Sequence, residues 1–296
     1  MHTNRNVYIS TFLILITREM LYYMDMNMNM LLDEYLMEAE YKKLSKKTIT
    51  NYKRILEHFI NTTKATDVKQ LNKLLVKNYI NNLQLSISSK NQYIRTLSAW
   101  FNWIEDEYDV DLHIKLKRLK EQRTIKYTPT DDEVDELLRA YDNKSFMNCR
   151  NKTIISCFVN LGLRAEELLN LQRSDVDLKN GIITVRKRKG NIDQQLPINN
   201  ELKLQLHKYM TRYPLDTELL FVSRSLNKLE VSHLHYLLKK VNPKINPHSL
   251  RRACCTRMLK AGIPLIMVSR YMNHSSIEVT NSYYADVKAL DVTNYW

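Results

Sequence analysis

The chain has 296 residues, 45 Lys and Arg against 32 Asp and Glu, a formal net charge of +13 and a pI near 9.4. That length holds one large or two ordinary domains with a substantial core, and the charge suits an anionic partner, nucleic acid or an acidic membrane surface. Cys149, Cys157, Cys254 and Cys255 form no Cys-x-x-Cys pair with a nearby histidine, which argues against zinc and for reduced packing residues in an intracellular protein.

The first apolar run, Val7 to Ile16, is ten residues long and too short to span a bilayer. Arg5 precedes it, as in a signal peptide, but Thr17, Arg18 and Glu19 follow where small residues at a cleavage site would stand. Residues 1–30 read as an N-terminal extension, an extra helix or strand, or a start placed too early.

Residues 31–120 read as helical throughout. Leu32, Tyr35, Leu36 and Ala39 make one apolar stripe at helical spacing. Ser45 is placed to cap a helix carrying Ile49, Tyr52, Ile55, Leu56, Phe59 and Ile60. Leu71, Leu74, Leu75, Tyr79 and Ile80 mark a third helix. Ser88 or Ser89 opens a fourth with Tyr93, Ile94, Leu97, Trp100, Phe101 and Ile104. Four amphipathic helices make a small bundle, and the aromatic stripe reads as its core rather than as a base-stacking platform. From Glu40 to Ile125 there are seventeen Lys or Arg against nine Asp or Glu. Lys42, Lys43, Lys46 and Lys47 cluster just before a helix and Lys90 lies at a helix start, where cations can meet phosphates.

Residues 115–128 are highly charged and precede Pro129, so a linker is expected over 121–129. Thr130 or Asp131 can cap the next helix, with Val134, Leu137 and Leu138 as its apolar face. The second domain is expected over 130–296. Around Arg164 the leucines Leu161, Leu163, Leu168 and Leu171 read as one buried helix face. Ile182, Ile183, Thr184 and Val185 then form a strand after Asn180-Gly181, and Lys189-Gly190-Asn191 makes a tight turn into Gln195, Leu196 and Pro197. Helical patterns fill the remainder, over 201–209, 232–241, 249–261, 264–271 and 277–285. The fold class is mainly α with a small β-sheet.

Arg164, Lys189, His248, Arg251, His274 and Tyr283 lie in five short segments of this second half. Two arginines, a lysine, two histidines and a tyrosine suit metal-free phosphodiester cleavage. The arginines can hold the two non-bridging oxygens of one phosphate and neutralise transition-state charge. Tyrosine can attack phosphorus and hold it covalently, and lysine and histidine can move the protons. The plain alternatives are a structural Arg164–Glu167 ion pair, a solvated turn lysine and a capping histidine. Lys187 and Arg188 compete with Lys189, and Tyr284 with Tyr283.

The segments Leu-Gly-Leu-Arg164-Ala-Glu-Glu167-Leu, Lys-Arg-Lys189-Gly-Asn, Pro-His248-Ser-Leu-Arg251-Arg, Met-Asn-His274-Ser-Ser and Asn-Ser-Tyr283-Tyr284 together resemble the tyrosine recombinases of the phage integrase family. The likeness is greatest to the XerC/XerD type and its archaeal counterparts, runs over roughly residues 31–296 and is strongest from Leu161 to Tyr284. Spacings agree as well as residue types: Glu167 three after Arg164, Arg251 three after His248, Tyr283 nine after His274. Two positions depart from the common pattern. Arg252 stands where many relatives have a second histidine, and Met272-Asn273 where they have Leu-Gly; altered packing with chemistry retained is expected.

The resemblance implies a SAM-like, DNA-gripping core-binding domain over 31–120 and a tyrosine-recombinase catalytic domain over 130–296. It implies Arg164 and Arg251 as the phosphate clamp, His248 as a proton-transfer group and His274 as a hydrogen-bond donor to a non-bridging oxygen. Lys189 becomes the acid for the 5′ oxygen, Tyr283 the nucleophile, and Glu167 the acid that orients the site. The implied activity is site-specific recombination through a 3′-phosphotyrosyl intermediate, for integration or excision of a mobile element or for chromosome-dimer resolution. The implied partner is double-stranded DNA, bound in the cytoplasm as a homo-oligomer, a dimer per site and a tetrameric synapse. No metal, no cofactor and no membrane are implied. A type IB-like topoisomerase and a catalytically inactive DNA-binding protein are the rival readings. The segment after Tyr283 is too short to be stable alone and is expected to dock, in the family on the adjacent subunit.

Overall fold

A computed structural model describes residues 26–122, 126–188, 192–274 and 276–284, without the side chains of 187, 188, 192 and 282–284. The expectations for 1–25, for the turn at Lys189 and for the tail after Tyr284 fall outside these residues. The chain divides into two compact units, 1–123 and 124–296.

In the first unit, helices α1 (Met28–Tyr41), α2 (Lys46–Thr63), α3 (Lys73–Asn82) and α4 (Ile87–Tyr108) form the bundle. Each begins at a side-chain cap. Asn27, Ser45 and Asn72 accept from backbone amides of the first turns of α1, α2 and α3. Ser86, rather than Ser88 or Ser89, caps α4, because its backbone is extended and its Oγ accepts from the Ser89 amide at 3.2 Å. The apolar stripes meet inside. Leu31, Ile55, Leu56, Phe59, Val76, Leu97, Trp100 and Phe101 are buried, so the aromatic stripe is core. Phe59 packs edge-on to Tyr79 and Phe101 at centroid distances of 5.0 and 6.0 Å. Each such large side chain contributes about 1.5–3 kcal/mol by leaving water.

After α4 the chain runs without regular secondary structure, packing Leu112, Ile114, Leu116 and Leu119 on the bundle core. Asn91 fixes it there, donating to the Leu119 carbonyl at 3.0 Å and accepting from the Leu119 amide at 2.8 Å.

The second unit is built around α6 (Phe146–Leu161), whose Ile154, Ile155, Cys157 and Phe158 are fully buried. Helices α5 (Asp131–Arg139), α8 (Asn200–Arg212) and α10 (Pro247–Lys260) pack against it. Thr130 and Glu133 form a reciprocal cap at the start of α5. The short α7 (Ala165–Leu169), α9 (Val231–Lys239), α11 (Leu265–Tyr271) and α12 (Ile277–Tyr284) complete the helices.

A three-stranded antiparallel sheet has the order β1 (Val176–Asp177), β2 (Ile182–Arg188), β3 (Ile192–Pro197). Ile183 pairs with Leu196, Val185 with Gln194 and Arg188 with Ile192, with a register irregularity between Val185 and Arg188. The two-residue β1 is too short to leave a pattern in the sequence.

All four cysteines are buried free thiols, and burial pushes the Cys255 thiol up to about 11 and the Cys254 thiol to about 12. No described helix is long and apolar enough to cross a membrane.

Candidate active site

The sequence segment Leu161–Leu171 folds as a corner, not as one helix. Gly162 ends α6 with φ +58, a left-handed conformation that glycine adopts without a Cβ penalty. A Cβ there would stand 2.7 Å from the Met272 methyl and 3.2 Å from Cys254 Sγ, so the glycine also permits close approach of two other segments. Arg164 follows in extended backbone and begins α7. The four leucines are buried, but they come from the end of α6, the corner, α7 and the residue run after it, which corrects the single helix face expected from their spacing.

Glu167 holds Arg164 from two directions. Its Oε1 accepts from Nη1 at 2.7 Å and its Oε2 accepts from the Arg164 amide at 2.8 Å. The carboxylate thus fixes both the guanidinium and the backbone that carries it, in a partly buried setting where such charge-assisted bonds are strong. The Nη2 of Arg164 donates to the Asn273 carbonyl at 2.8 Å.

Arg251 lies in the second turn of α10 and is 3% exposed. Its Nη1 donates to the Gly162 carbonyl and its Nη2 to the Met272 carbonyl. The two arginines therefore grip successive carbonyls, Met272 and Asn273, of the turn that leads into His274. This brings Arg164, Arg251 and His274 together from positions up to 110 residues apart.

Asn273 has φ +49. The left-handed position that the resemblance gives to glycine is here filled by asparagine, which tolerates that region better than other side-chain-bearing residues. Met272 is fully buried beside Gly162 and the α10 cysteines. The Met-Asn departure is therefore accommodated as packing plus a tolerated backbone.

His274 Nδ1 lies 2.7 Å from the hydroxyl of Thr280, a fully buried residue of α12. Its backbone amide donates to the Ser269 carbonyl at 3.1 Å. Thr280 was invisible to residue-type reasoning. Its only signal was a position six after His274 and three before Tyr283.

His248 is in the first turn of α10, which opens with Pro247 behind the cap Asn246. It is open to solvent, yet its imidazole is pushed below its ordinary pKa, first by desolvation on its packed side and then by the charges of Arg251, Arg252, Lys126 and Arg164. That dependence places His248 in the field of both Arg164 and Arg251. A depressed pKa keeps the ring neutral near pH 7, the form that can accept a proton.

Of the remaining predicted residues, Tyr283 lies on α12, one turn beyond Thr280, with its side chain among those not described. Lys189 falls outside the described residues. The hairpin that leads to it is anchored on both strands. Arg186 of β2 donates to the buried Asp175 carboxylate at 2.5 Å, and Gln194 of β3 donates to the Tyr271 carbonyl at 3.3 Å, just before the His274 turn. Among the described residues no group of three or more His, Cys, Asp or Glu is placed to hold a metal ion.

In the first unit, Ser45, Lys47, Thr48, Thr50, Asn51, Arg54 and Gln92 line a concavity of about 600 Å³ on α2 and α4. Two of the lysines singled out by position are already engaged: Lys42 pairs with Glu38 at 2.9 Å and Lys90 donates to the Asn81 carbonyl at 2.9 Å.

Residues 128–289 match the phage integrase family, and residues 31–109 match its N-terminal SAM-like domain. The chain is 29% identical over 265 residues to tyrosine recombinase XerA of Pyrococcus furiosus, covering 85% of this chain and 88% of that one. It is 30% identical over 204 residues to XerA of Thermococcus kodakarensis, covering 66% and 70%. A lambda integrase dimer bound to a core site shares the fold with a TM-score of 0.73 at 17% identity, covering 90% of this chain and 79% of that one. Mainly helical, with a SAM-like N-terminal domain ahead of an integrase catalytic domain, the chain belongs to the phage integrase family, the tyrosine recombinases.

Proposed function

We propose that this protein is a site-specific DNA recombinase that cuts and rejoins DNA through a 3′-phosphotyrosyl intermediate. The observation that carries the reading is the convergence of Arg164 and Arg251 on the turn entering His274, with a neutral His248 in the field of both.

The scissile phosphate sits where the two guanidiniums present their remaining N–H groups, and His274 completes the cradle from the turn they hold. Such prearranged donors lower the barrier because they need no reorganisation as negative charge builds. Tyr283 Oη attacks phosphorus and its proton passes to His248. The bond to the 5′ oxygen breaks and Lys189 supplies the proton for the new 5′ hydroxyl. The phosphodiester is exchanged for a phosphotyrosyl ester, so the reverse step rejoins a strand without ATP. Glu167 acts through Arg164 by fixing its guanidinium.

Residues 31–120 form the DNA-gripping domain, with the concavity on α2 and α4 as its contact surface. Its hydroxyls, amides, Lys47 and Arg54 offer both phosphate and base-edge contacts. Residues 121–129 link it to the catalytic domain at 130–296. Two protomers occupy one site and four assemble the synapse, in the cytoplasm. The task is integration and excision of a mobile element or resolution of chromosome dimers.

The test begins by selecting the preferred duplex from a random pool with the full chain. That duplex is then nicked next to the cleavage position so that the 5′-hydroxyl fragment is lost. Accumulation of a covalent adduct on Tyr283 supports the reading. Specific binding with no adduct, or supercoil relaxation with no preferred site, overturns it.

A further inference from the structure

Arg54 lies on the exposed side of α2, yet its guanidinium is held in place. Its Nη1 donates to the Tyr93 hydroxyl of α4 at 3.1 Å, and its Nη2 donates to Asn51 Oδ1, one turn earlier on α2, at 3.2 Å. The guanidinium carbon stands over the Tyr93 ring, 5.6 Å from its centroid. Tyr93 is a firm anchor. It is 5% exposed and packs against His58 and Tyr79 at centroid distances of 6.0 and 6.3 Å. Those two are joined in turn by a 2.7 Å contact from His58 Nδ1 to the Tyr79 hydroxyl. An exposed arginine ordinarily keeps its rotamer freedom; Arg54 has given it up before any ligand arrives.

The surroundings indicate what such a held guanidinium meets. Arg54 lines the concavity of about 600 Å³ on α2 and α4, together with hydroxyls, two amides and one further cation, Lys47. No carboxylate lines it, so nothing there competes for Arg54 or accepts from a cytosine amino group. Lys53 beside it pairs with Glu57 at 3.8 Å, whereas Arg54 meets no carboxylate among the described residues. A phosphate seat gathers cations; this one gathers uncharged polar groups around a single fixed fork. Two of the five guanidinium N–H groups are engaged within the protein, and the others suit paired bonds to O6 and N7 of guanine. Asn51 Oδ1 is engaged by Arg54, so Asn51 orients the reader rather than reading adenine itself. Lys47, Asn51 and Arg54 follow one another at helical spacing on one face of α2, and the major groove, about 12 Å wide, admits one helix.

We propose that Arg54 reads a guanine in the major groove of the DNA half-site, with Asn51 and Tyr93 as the positioning residues that aim its guanidinium. The inference rests on the recombinase reading, which takes this concavity as the DNA-contact surface of residues 31–120, and adds the base and the residue that selects it.

The experiment repeats the random-pool selection with the wild-type full chain and with Arg54→Ala, and reads base preference position by position. Arg54→Ala is expected to lose a guanine preference at one position of each half-site and to keep the other preferences. Its affinity for the wild-type site falls roughly tenfold or more, while the salt dependence of binding stays close to that of wild type, as for a base contact. Replacing that guanine by 7-deazaguanine removes the N7 acceptor and leaves the protein intact. The wild-type chain should then bind several-fold more weakly, and Arg54→Ala should be indifferent to the change, because both alterations remove one contact. Tyr93→Phe and Asn51→Ala keep the guanidinium but release it, and each should show a weakened guanine preference. The inference is overturned if Arg54→Ala selects the same guanine as wild type, if it weakens every duplex equally, or if its loss and that of 7-deazaguanine multiply. Undiminished guanine preference in both Tyr93→Phe and Asn51→Ala overturns the positioning roles. If the wild-type chain selects no preferred duplex, the recombinase reading fails and this inference with it. Adduct formation on Tyr283 is measured on the same selected duplex, so the recombinase reading can stand where Arg54 fails.

Discussion

Thr280 and His274 are joined across 2.7 Å, hydroxyl to Nδ1, and Thr280 is fully buried. This contact links the turn gripped by both arginines to α12, the helix that carries Tyr283. It orients the imidazole from its Nδ1 side and fixes the start of α12 against the catalytic core. The turn entering His274 and the helix that carries Tyr283 therefore share one hydrogen bond.

Thr280→Val keeps the shape and removes the hydroxyl that meets the His274 Nδ1, at a cost of about 1–3 kcal/mol. Adduct formation on the nicked duplex is expected to fall about tenfold or more, while DNA affinity holds. Thr280→Ser should retain most of the rate. Equal rates for the valine and wild-type proteins would show that the contact does not order the site.

Arg164 and Arg251 should separate in a melting experiment. Arg251 is almost fully buried and satisfies the Gly162 and Met272 carbonyls. Arg251→Ala orphans both, so it should lose about 2–4 kcal/mol of stability as well as activity. The Arg164 side chain is 35% exposed and paired with Glu167. Arg164→Ala should abolish rapid cleavage by roughly a hundredfold with a much smaller fall in Tm. Similar melting losses for both variants would contradict the different burial of the two groups.

Much of this arrangement was legible in the sequence because spacing and chemistry agreed. The bundle of α1 to α4 follows from apolar stripes, and Ser45 and Thr130 announced helix starts. Arg164, His248, Arg251 and His274 were picked out by the family resemblance of their segments and spacings, and the structure brings Arg164 and Arg251 onto the turn that enters His274. Three features were not legible, each for a physical reason. The corner at Gly162 looked like continuous helix because four leucines at near-helical intervals mask a single left-handed residue. Ser86 was passed over as the cap of α4 because Ser88 and Ser89 offer the same side chain. Thr280 and the carbonyls of Met272 and Asn273 carry no charge or motif, and only the fold shows what they hold.

Tyr283→Phe removes just the hydroxyl oxygen proposed to attack phosphorus. Sequence-specific binding by gel shift should persist while covalent adduct disappears. Tyr284→Phe should still form adduct. The reverse pattern would move the nucleophile to Tyr284.

Lys189 is tested by changing the leaving group rather than the protein alone. Sulfur in place of the 5′ bridging oxygen leaves without needing a proton. Lys189→Ala should therefore be slow on the ordinary duplex and near the wild-type rate on the sulfur-substituted one. Equal defects on both substrates would mean that Lys189 does not supply the proton.

The last prediction concerns stability away from the site. Arg150 is fully buried in α6 with no carboxylate partner among the described residues. Its guanidinium donates to the Val222 carbonyl at 2.8 Å, to Asn151 Oδ1 at 2.8 and 3.1 Å, and meets His233 Nε2 of α9 at 2.9 Å. A guanidinium only donates, so His233 must accept and must be neutral. Its pKa is lowered, first by burial and then by the Arg150 charge. The unfolded chain binds a proton at His233 near pH 6.5, whereas the folded protein resists it. Stability is then fully present above that pH and falls as pH drops below it. His248, also depressed, contributes in the same direction, so the comparison must isolate His233. His233→Gln offers Arg150 a neutral carbonyl oxygen and cannot titrate. Denaturant unfolding at pH 7.5 and 5.5 should show a smaller loss of stability for His233→Gln than for wild type. An unchanged pH dependence would mean that His233 is not protonated differently in the two states, and that the Arg150 contact tolerates a charged ring.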